Sequence, residues 1–135
     1  MENKLKELID RWIEGWNGKD LDKILSCYTN SAELFDPKVK EAFPEKFTLT
    51  GSDELKGYFK IILSLYPNLK VKPRGLWLKG EYEALLEYDL YTEEDRKVDV
   101  ISKFYFSKDK KIQGHFVYYG LSYKEVKDKN TKKEN

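Results

Sequence analysis

Cysteine is almost missing from this chain. Cys27 is the only one in 135 residues, so no internal disulfide can form, and a reducing compartment is expected. Long apolar runs are missing too. Nothing approaches the roughly 20 residues that a membrane-spanning helix needs. The opening Met1-Glu2-Asn3-Lys4 has no signal-peptide hydrophobic region, so the expected setting is cytoplasmic, with no membrane partner. An excess of either charge is also lacking. With 25 Lys and Arg against 24 Asp and Glu, interspersed to a net +1, there is no basic stripe to meet nucleic acid. One histidine and one cysteine make no metal-ligand spacing. No phosphate-cradling glycine loop or nucleophile elbow occurs. The sequence therefore predicts neither a metal nor an organic cofactor.

What is present is an ordinary globular composition, 40% hydrophobic and 36% charged. The length suits one domain with a substantial core, assigned to residues 1–123. Residues 124–135 are Lys-rich and polar without apolar periodicity, and read as a flexible tail.

Residues 8–37 organise the rest. Leu5, Leu8, Ile9, Trp12, Ile13 and Trp16 recur at helical spacing and predict a helix over 3–16. Asn17-Gly18 ends it, with Gly18 suited to the left-handed position after a helix. Asp20 caps a second helix that buries Leu21, Ile24, Leu25 and Tyr28, and Thr29-Asn30-Ser31 reads as a turn. A strand follows on which Ala32, Leu34 and Asp36 share one face, so a carboxylate ends an apolar row. From Pro37 to Lys46 the chain reads as a polar loop or lid, and 47–50 as a short strand. Gly51 opens a third helix whose apolar face carries Leu55, Tyr58, Phe59, Ile62, Leu63 and Tyr66, stopped by Pro67.

Beyond Leu69 the texture changes to strands at 69–79, 81–92, 97–107 and 111–123, joined by short polar connections that mark an antiparallel meander. Ala84, Leu86, Tyr88 and Leu90 share a face. So do Val98, Val100, Phe104 and Phe106, interrupted by Ser102. The last strand is apolar on both faces, with Ile112, Phe116 and Tyr118 on one and Val117, Tyr119 and Leu121 on the other. Both faces want cover, one from helices and the other from a second copy of the chain, which predicts a homodimer through the outer sheet face.

This order of elements, with Trp12-x3-Trp16-Asn17-x2-Asp20, Tyr28, the 32–37 strand and Gly51, resembles the nuclear transport factor 2-like superfamily, which includes SnoaL-like cyclases and ketosteroid isomerases. The resemblance spans about residues 5–121. It implies an α+β fold: a cone-shaped curved antiparallel sheet wrapped around N-terminal helices, a cystatin-like α+β barrel with a deep pocket. It places Asp36-Pro37 where ketosteroid isomerases carry a proton-shuttling aspartate. Trp12 and Ser102 stand where that family has its two oxyanion-hole residues, and Val117 and its neighbours replace the acidic constellation of limonene-epoxide hydrolases.

Asp36 is then a candidate general base, because a carboxylate on a hydrophobic wall has a raised pKa. The alternative makes it the cap of a turn at the strand end. His115 shares parity with Val117 and Tyr119 and is either a second acid/base or a hydrogen-bonded wall residue. Ser102 either donates to a ligand oxygen or leaves room for one. Trp12, Trp16, Tyr28, Phe59, Val117 and Tyr119 are a candidate lining or simply core, and Cys27 reads as packing. Two classes of function stay open. One is a SnoaL-like domain that binds a small apolar molecule in its cone. The other is a cofactor-independent isomerase or cyclase using Asp36 on a carbonyl-type substrate, with His115, Ser102 and the Trp12 N–H available to an oxyanion.

Overall fold

The computed structural model describes residues 2–93 and 96–122. The assigned tail and the end of the last predicted strand at Tyr123 lie outside them. Helices α1 (Glu2–Asn17) and α2 (Leu21–Leu25) lead into strand β1 (Tyr28–Phe35). A short helix α3 (Val39–Ala42), strand β2 (Thr48–Thr50) and helix α4 (Ser52–Leu65) follow. Strands β3 (Lys70–Lys79), β4 (Glu83–Glu93), β5 (Arg96–Phe106) and β6 (Ile112–Ser122) complete one six-stranded sheet in the order β2-β1-β6-β5-β4-β3.

The α+β class and the curved sheet packed on helices are as expected, with two corrections to its detail. The sheet is not closed among the described residues, so β2 and β3 are its two edges rather than partners in a barrel. Nor is it wholly antiparallel, since β1 pairs with β6 in parallel. Parallel neighbours need a long crossover, and everything from α3 to β5 supplies it.

The first helix ends in a Schellman motif, in which Asp20 N–H reaches Gly15 O at 2.9 Å and Lys19 N–H reaches Trp16 O at 3.2 Å. The left-handed residue is Lys19, with φ 56°, and not Gly18 as predicted. A non-glycine residue there costs roughly 1–2 kcal/mol. The Lys19 ammonium offsets this by donating to the carbonyls of Asn17 and Leu69. Beside it the Asn17 side chain mimics a strand: its Nδ2 donates to Val71 O at 3.0 Å and its Oδ1 accepts from Val71 N–H at 2.7 Å. This clasp fixes the end of α1 to edge strand β3. Asp20 caps α2 as expected, accepting from Lys23 N–H at 3.1 Å.

Three further expectations change. Tyr28 belongs to β1, and the predicted turn at 29–31 is strand, because an irregularity in β1 between Tyr28 and Glu33 absorbs those polar residues. Thr29 Oγ1 there donates to Gln113 Oε1 at 2.9 Å. Gln113 is itself the extra residue in β6, between the pairs Tyr105–Gly114 and Phe106–Ile112. That bulge turns Ile112 onto the face of His115, away from Phe116 and Tyr118. The 37–46 loop contains α3, whose Val39 is fully buried and anchors it to the core. Gly51, with φ 90°, makes the corner from β2 into α4 that a side chain would strain.

The inner face of the sheet buries Leu86, Tyr88, Val100, Phe104 and Val117 against Leu5, Ile9, Trp12 and Trp16 of α1 and Leu55, Tyr58 and Phe59 of α4.

Candidate functional site

A cavity of about 60 Å³ remains between this inner face and the helices. Of the candidates from the sequence, Asp36, His115, Trp12, Trp16, Phe59, Val117 and Tyr119 border it. Tyr28 and Ser102 do not; they lie behind its wall, both buried. A wider depression of about 680 Å³, lined by Asn17, Lys19, Asn68 and Glu93 among others, lies outside the cone and contains none of the candidates.

The strand stops at Phe35, one residue short of the expected row, but the alternation of Ala32 and Leu34 continues into Asp36, which borders the cavity with only 7% of its surface exposed. Its Oδ1 accepts from Lys38 N–H at 3.0 Å and from the Tyr119 hydroxyl at 2.9 Å. Its Oδ2 accepts from Tyr119 at 3.0 Å and from the Tyr58 hydroxyl at 3.1 Å. The Lys38 contact is the turn hydrogen bond of the alternative reading, so both environments proposed for Asp36 are present together. Burial prevails: it pushes the Asp36 carboxyl above its ordinary pKa, against the Lys38 N–H and the two hydroxyls. Among the described residues no cation lies within ion-pair distance of this carboxylate. The Lys38 ammonium is 3.7 Å from Glu41 and 5.1 Å from the Tyr119 ring centre. Tyr58 and Tyr119 are themselves pushed up by burial and by the Asp36 charge, and so remain protonated donors.

Among the described residues His115 and Asp36 share no hydrogen bond. Its Nδ1 is 2.9 Å from the Tyr28 hydroxyl and its Nε2 is 2.8 Å from Ser102 Oγ. Burial pushes its pKa down to about 3, so the ring is neutral at physiological pH. The row extends both ways: Trp12 Nε1–H donates to Tyr28 Oη at 2.9 Å, and Ser102 Oγ lies 2.9 Å from Tyr88 Oη. The indole of Trp12 also meets Phe104 and His115 edge-on at 5.3 and 5.7 Å. Its N–H is therefore committed to Tyr28 and does not face a ligand. Trp16 differs, since its Nε1 is buried and has no hydrogen-bond partner among the described residues. Cys27 is buried near the carbonyls of Lys23 and Leu8, and its thiol is pushed up to about 11, chiefly by burial. At neutral pH it is an unreactive packing group.

Tyr58 and Tyr88 were legible in the sequence only as apolar-face positions. Their chemical signal was the hydroxyl: a tyrosine in a buried row needs a polar partner, where leucine or phenylalanine does not.

A family profile described as the SnoaL-like domain matches residues 9–115. The chain belongs to this family. The match runs from the middle of α1 to His115, and so takes in every candidate residue except Val117 and Tyr119. No curated protein matches the chain. Solved structures do. A SnoaL-like protein of unknown function from Burkholderia thailandensis is 20% identical, covers 90% of this chain and 98% of its own, and has a TM-score of 0.79. The epoxide hydrolase/cyclase-like enzyme SalBIII, which functions in pyran ring formation in the polyether salinomycin, is 19% identical over 89% of this chain and 93% of its own, with a TM-score of 0.72. A protein from Catenulispora acidiphila with a ketosteroid isomerase-like fold, in complex with trimethylamine, is 16% identical over 85% and 86%, with a TM-score of 0.68. At these identities the likeness establishes a shared fold. This SnoaL-like domain has a buried carboxylate just past the end of β1, joined to two tyrosines.

Proposed function

We propose that this domain binds a small apolar molecule bearing a carbonyl group in its cone, and that Asp36 acts on it as a general base. The observation that carries this is a carboxylate on an apolar cavity wall, held by three donors, with no cation among the described residues at ion-pair distance, and with its proton affinity raised by burial in spite of the Lys38 charge. In this role an Asp36 oxygen takes a proton from the carbon beside the carbonyl. The C–H electron pair moves into the carbon–oxygen framework as an enolate, and the proton returns at the same or a neighbouring carbon. Tyr58 and Tyr119 keep the carboxylate oriented, as hydroxyls that do not themselves ionise. His115, neutral and hydrogen-bonded through both nitrogens, supports a wall role better than that of a second acid.

The cavity limits the ligand. About 60 Å³ is small beside the roughly 300–1,000 Å³ of sites for drug-sized molecules. The fitting ligand is a fragment, unless half-buried Tyr119, Leu90 or Ile62 turns aside. The test is α-proton exchange into D2O, followed by NMR, for a panel of small cyclic ketones and 1,3-diketones. The wild-type protein should accelerate exchange, and Asp36→Asn should return it to the buffer rate. No acceleration across the panel, or full activity in Asp36→Asn, would reject the reading.

The outer face supports a homodimer. Phe35 stacks on Phe116 at 4.3 Å, Tyr105 meets Phe116 edge-on at 5.7 Å, and Tyr118 is 53% exposed beside them. A cytoplasmic setting agrees with the single buried thiol and with the absence, among the described residues, of any helix long and apolar enough to cross a membrane.

A further inference from the structure

Trp12, Tyr28, His115, Ser102 and Tyr88 form an unbranched row of hydrogen bonds between 2.8 and 2.9 Å. An indole N–H only donates, so Trp12 fixes the first bond. Three bonds remain among four groups. With the imidazole neutral these carry four protons, one on each hydroxyl and one on the ring. One proton is left over. It cannot be the ring proton, because each ring nitrogen faces a neighbour in the row; it sits on Tyr28, Ser102 or Tyr88.

Burial decides among the three. Tyr28 and Ser102 are 4% and 0% exposed, do not border the cavity, and have no further acceptor among the described residues. A surplus hydroxyl proton on either would be a buried donor without an acceptor, which folded proteins avoid. Tyr88 alone of the three borders the cavity. The row therefore runs one way. Tyr28 donates to His115 Nδ1, His115 Nε2–H donates to Ser102, and Ser102 donates to Tyr88, whose own proton is presented to the cavity.

A second residue that borders the same space carries an unanswered donor. Trp16 is 6% exposed, and its Nε1 has no hydrogen-bond partner among the described residues. The Phe59 ring, edge-on to Trp16 at 5.1 Å, is at most a weak π acceptor for it.

We propose that the Tyr88 hydroxyl and the Trp16 indole N–H are the donors that hold the carbonyl oxygen of the ligand, in the cavity that Asp36 lines. This rests on the carbonyl reading above and deepens it. It also moves the polar contact away from His115, Ser102 and Trp12, which become positioning residues that set the direction of the row. Two donors with one base select a neutral ketone over an amine, which would pair with Asp36 instead, and over a hydrocarbon, which would leave both donors unanswered.

The probe is cyclopentanone labelled with ¹³C at the carbonyl, with cyclopentane and cyclopentylamine for comparison. Binding is followed by NMR and the bound carbonyl by its infrared stretch. Cyclopentanone should bind more tightly than either comparison compound, with its stretch lowered from the value in hydrocarbon solvent. Tyr88→Phe and Trp16→Phe should each weaken binding about three- to tenfold, as for one neutral hydrogen bond, and return part of the stretch, while Asp36→Asn leaves the stretch lowered. A stretch unchanged in both Tyr88→Phe and Trp16→Phe, with proton exchange intact, overturns this inference and leaves Asp36 as the base. A lowered stretch without exchange rejects the base and leaves the donors. Tighter binding of cyclopentylamine, or of none of the three, overturns the ketone assignment. Because core variants can misfold, the unmodified protein supplies a further readout. Nitrogen-15 shifts of His115 should report the Nε2–H tautomer, whereas the Nδ1–H tautomer would place the surplus proton on Tyr28 and overturn the direction of the row.

Discussion

Replacing Tyr119 with phenylalanine should raise the Asp36 pKa further and make stability depend more steeply on pH. The Tyr119 hydroxyl serves both carboxylate oxygens, at 2.9 and 3.0 Å. A hydrogen bond to a charged group is worth about 1.5–3 kcal/mol and a neutral one about 0.5–1.5. Losing this donor therefore penalises the carboxylate over the neutral acid by about 1 kcal/mol, which at about 1.4 kcal/mol per unit is most of a pKa unit upward. The sign for stability follows from proton binding. Burial raises the folded pKa, so the folded chain holds the Asp36 proton more tightly than the unfolded chain. The contribution of this group is most favourable below the unfolded value of about 4 and declines as pH rises to the folded value. Above that it is flat. In Tyr119→Phe the decline should extend to higher pH and be larger by about 1 kcal/mol. Urea unfolding of parent and variant at pH 4 and pH 8 measures the difference, and ¹³C NMR of the Asp36 carboxyl gives the pKa directly. Asp36→Asn should abolish the decline from this site. An Asp36 pKa below the ordinary carboxylate range, or one that Tyr119→Phe leaves unmoved, would refute the account.

Gly15→Ala should destabilise by about 1–3 kcal/mol from overpacking, although the same change in an open helix stabilises, because the new Cβ would lie 2.9 Å from Ile24 Cγ1 and 3.1 Å from Ile24 N; a rise in melting temperature would contradict the packing of α1 on α2. Asn17→Ala should cost about 1–2 kcal/mol, since both Val71 backbone groups lose their partner; chemical denaturation measures it, and an unchanged midpoint would show that the clasp contributes nothing. Light scattering at low micromolar concentration should give twice the chain mass, and Tyr118→Lys, on the exposed outer face, should reduce it to the monomer.

Periodic elements were plain in the sequence because each buries one side. The six apolar positions of α1 all turn inward or partly so, and Val100, Phe104 and Phe106 share their face with Ser102 as alternation requires. What was hidden depends on residues far apart in the chain. Nothing local in β1 announces a parallel partner in β6. Thr29, Asn30 and Ser31 have turn-forming side chains, yet two of them serve an irregular strand by bonding Gln113. Ile112 changed face because one inserted residue, Gln113, reset the parity of its strand. Within the site, Asp36 stood out because a carboxylate ended an apolar row. Tyr58 and Tyr88 did not, because the phenol ring disguised the hydroxyl among apolar neighbours. Which tryptophan had its N–H committed could not be read from the spacing of Trp12 and Trp16, since Tyr28 decides it from another element.

The parallel seam between β1 and β6 bears on how the molecule assembles in time. Gln113 and Ser31, bonded across it, are 82 residues apart, whereas β3 to β6 pair with successive neighbours through short connections. Loop-closure entropy makes the distant seam slow and the meander fast. Asp36 comes from one side of that seam and Tyr119 and His115 from the other, so the cavity does not exist until this last zipper closes. Partial unzipping from the same line would dismantle the site while leaving the meander standing. Amides of β1 should then exchange with solvent ahead of those in β4 and β5, and the domain would lose its ligand before it loses its fold.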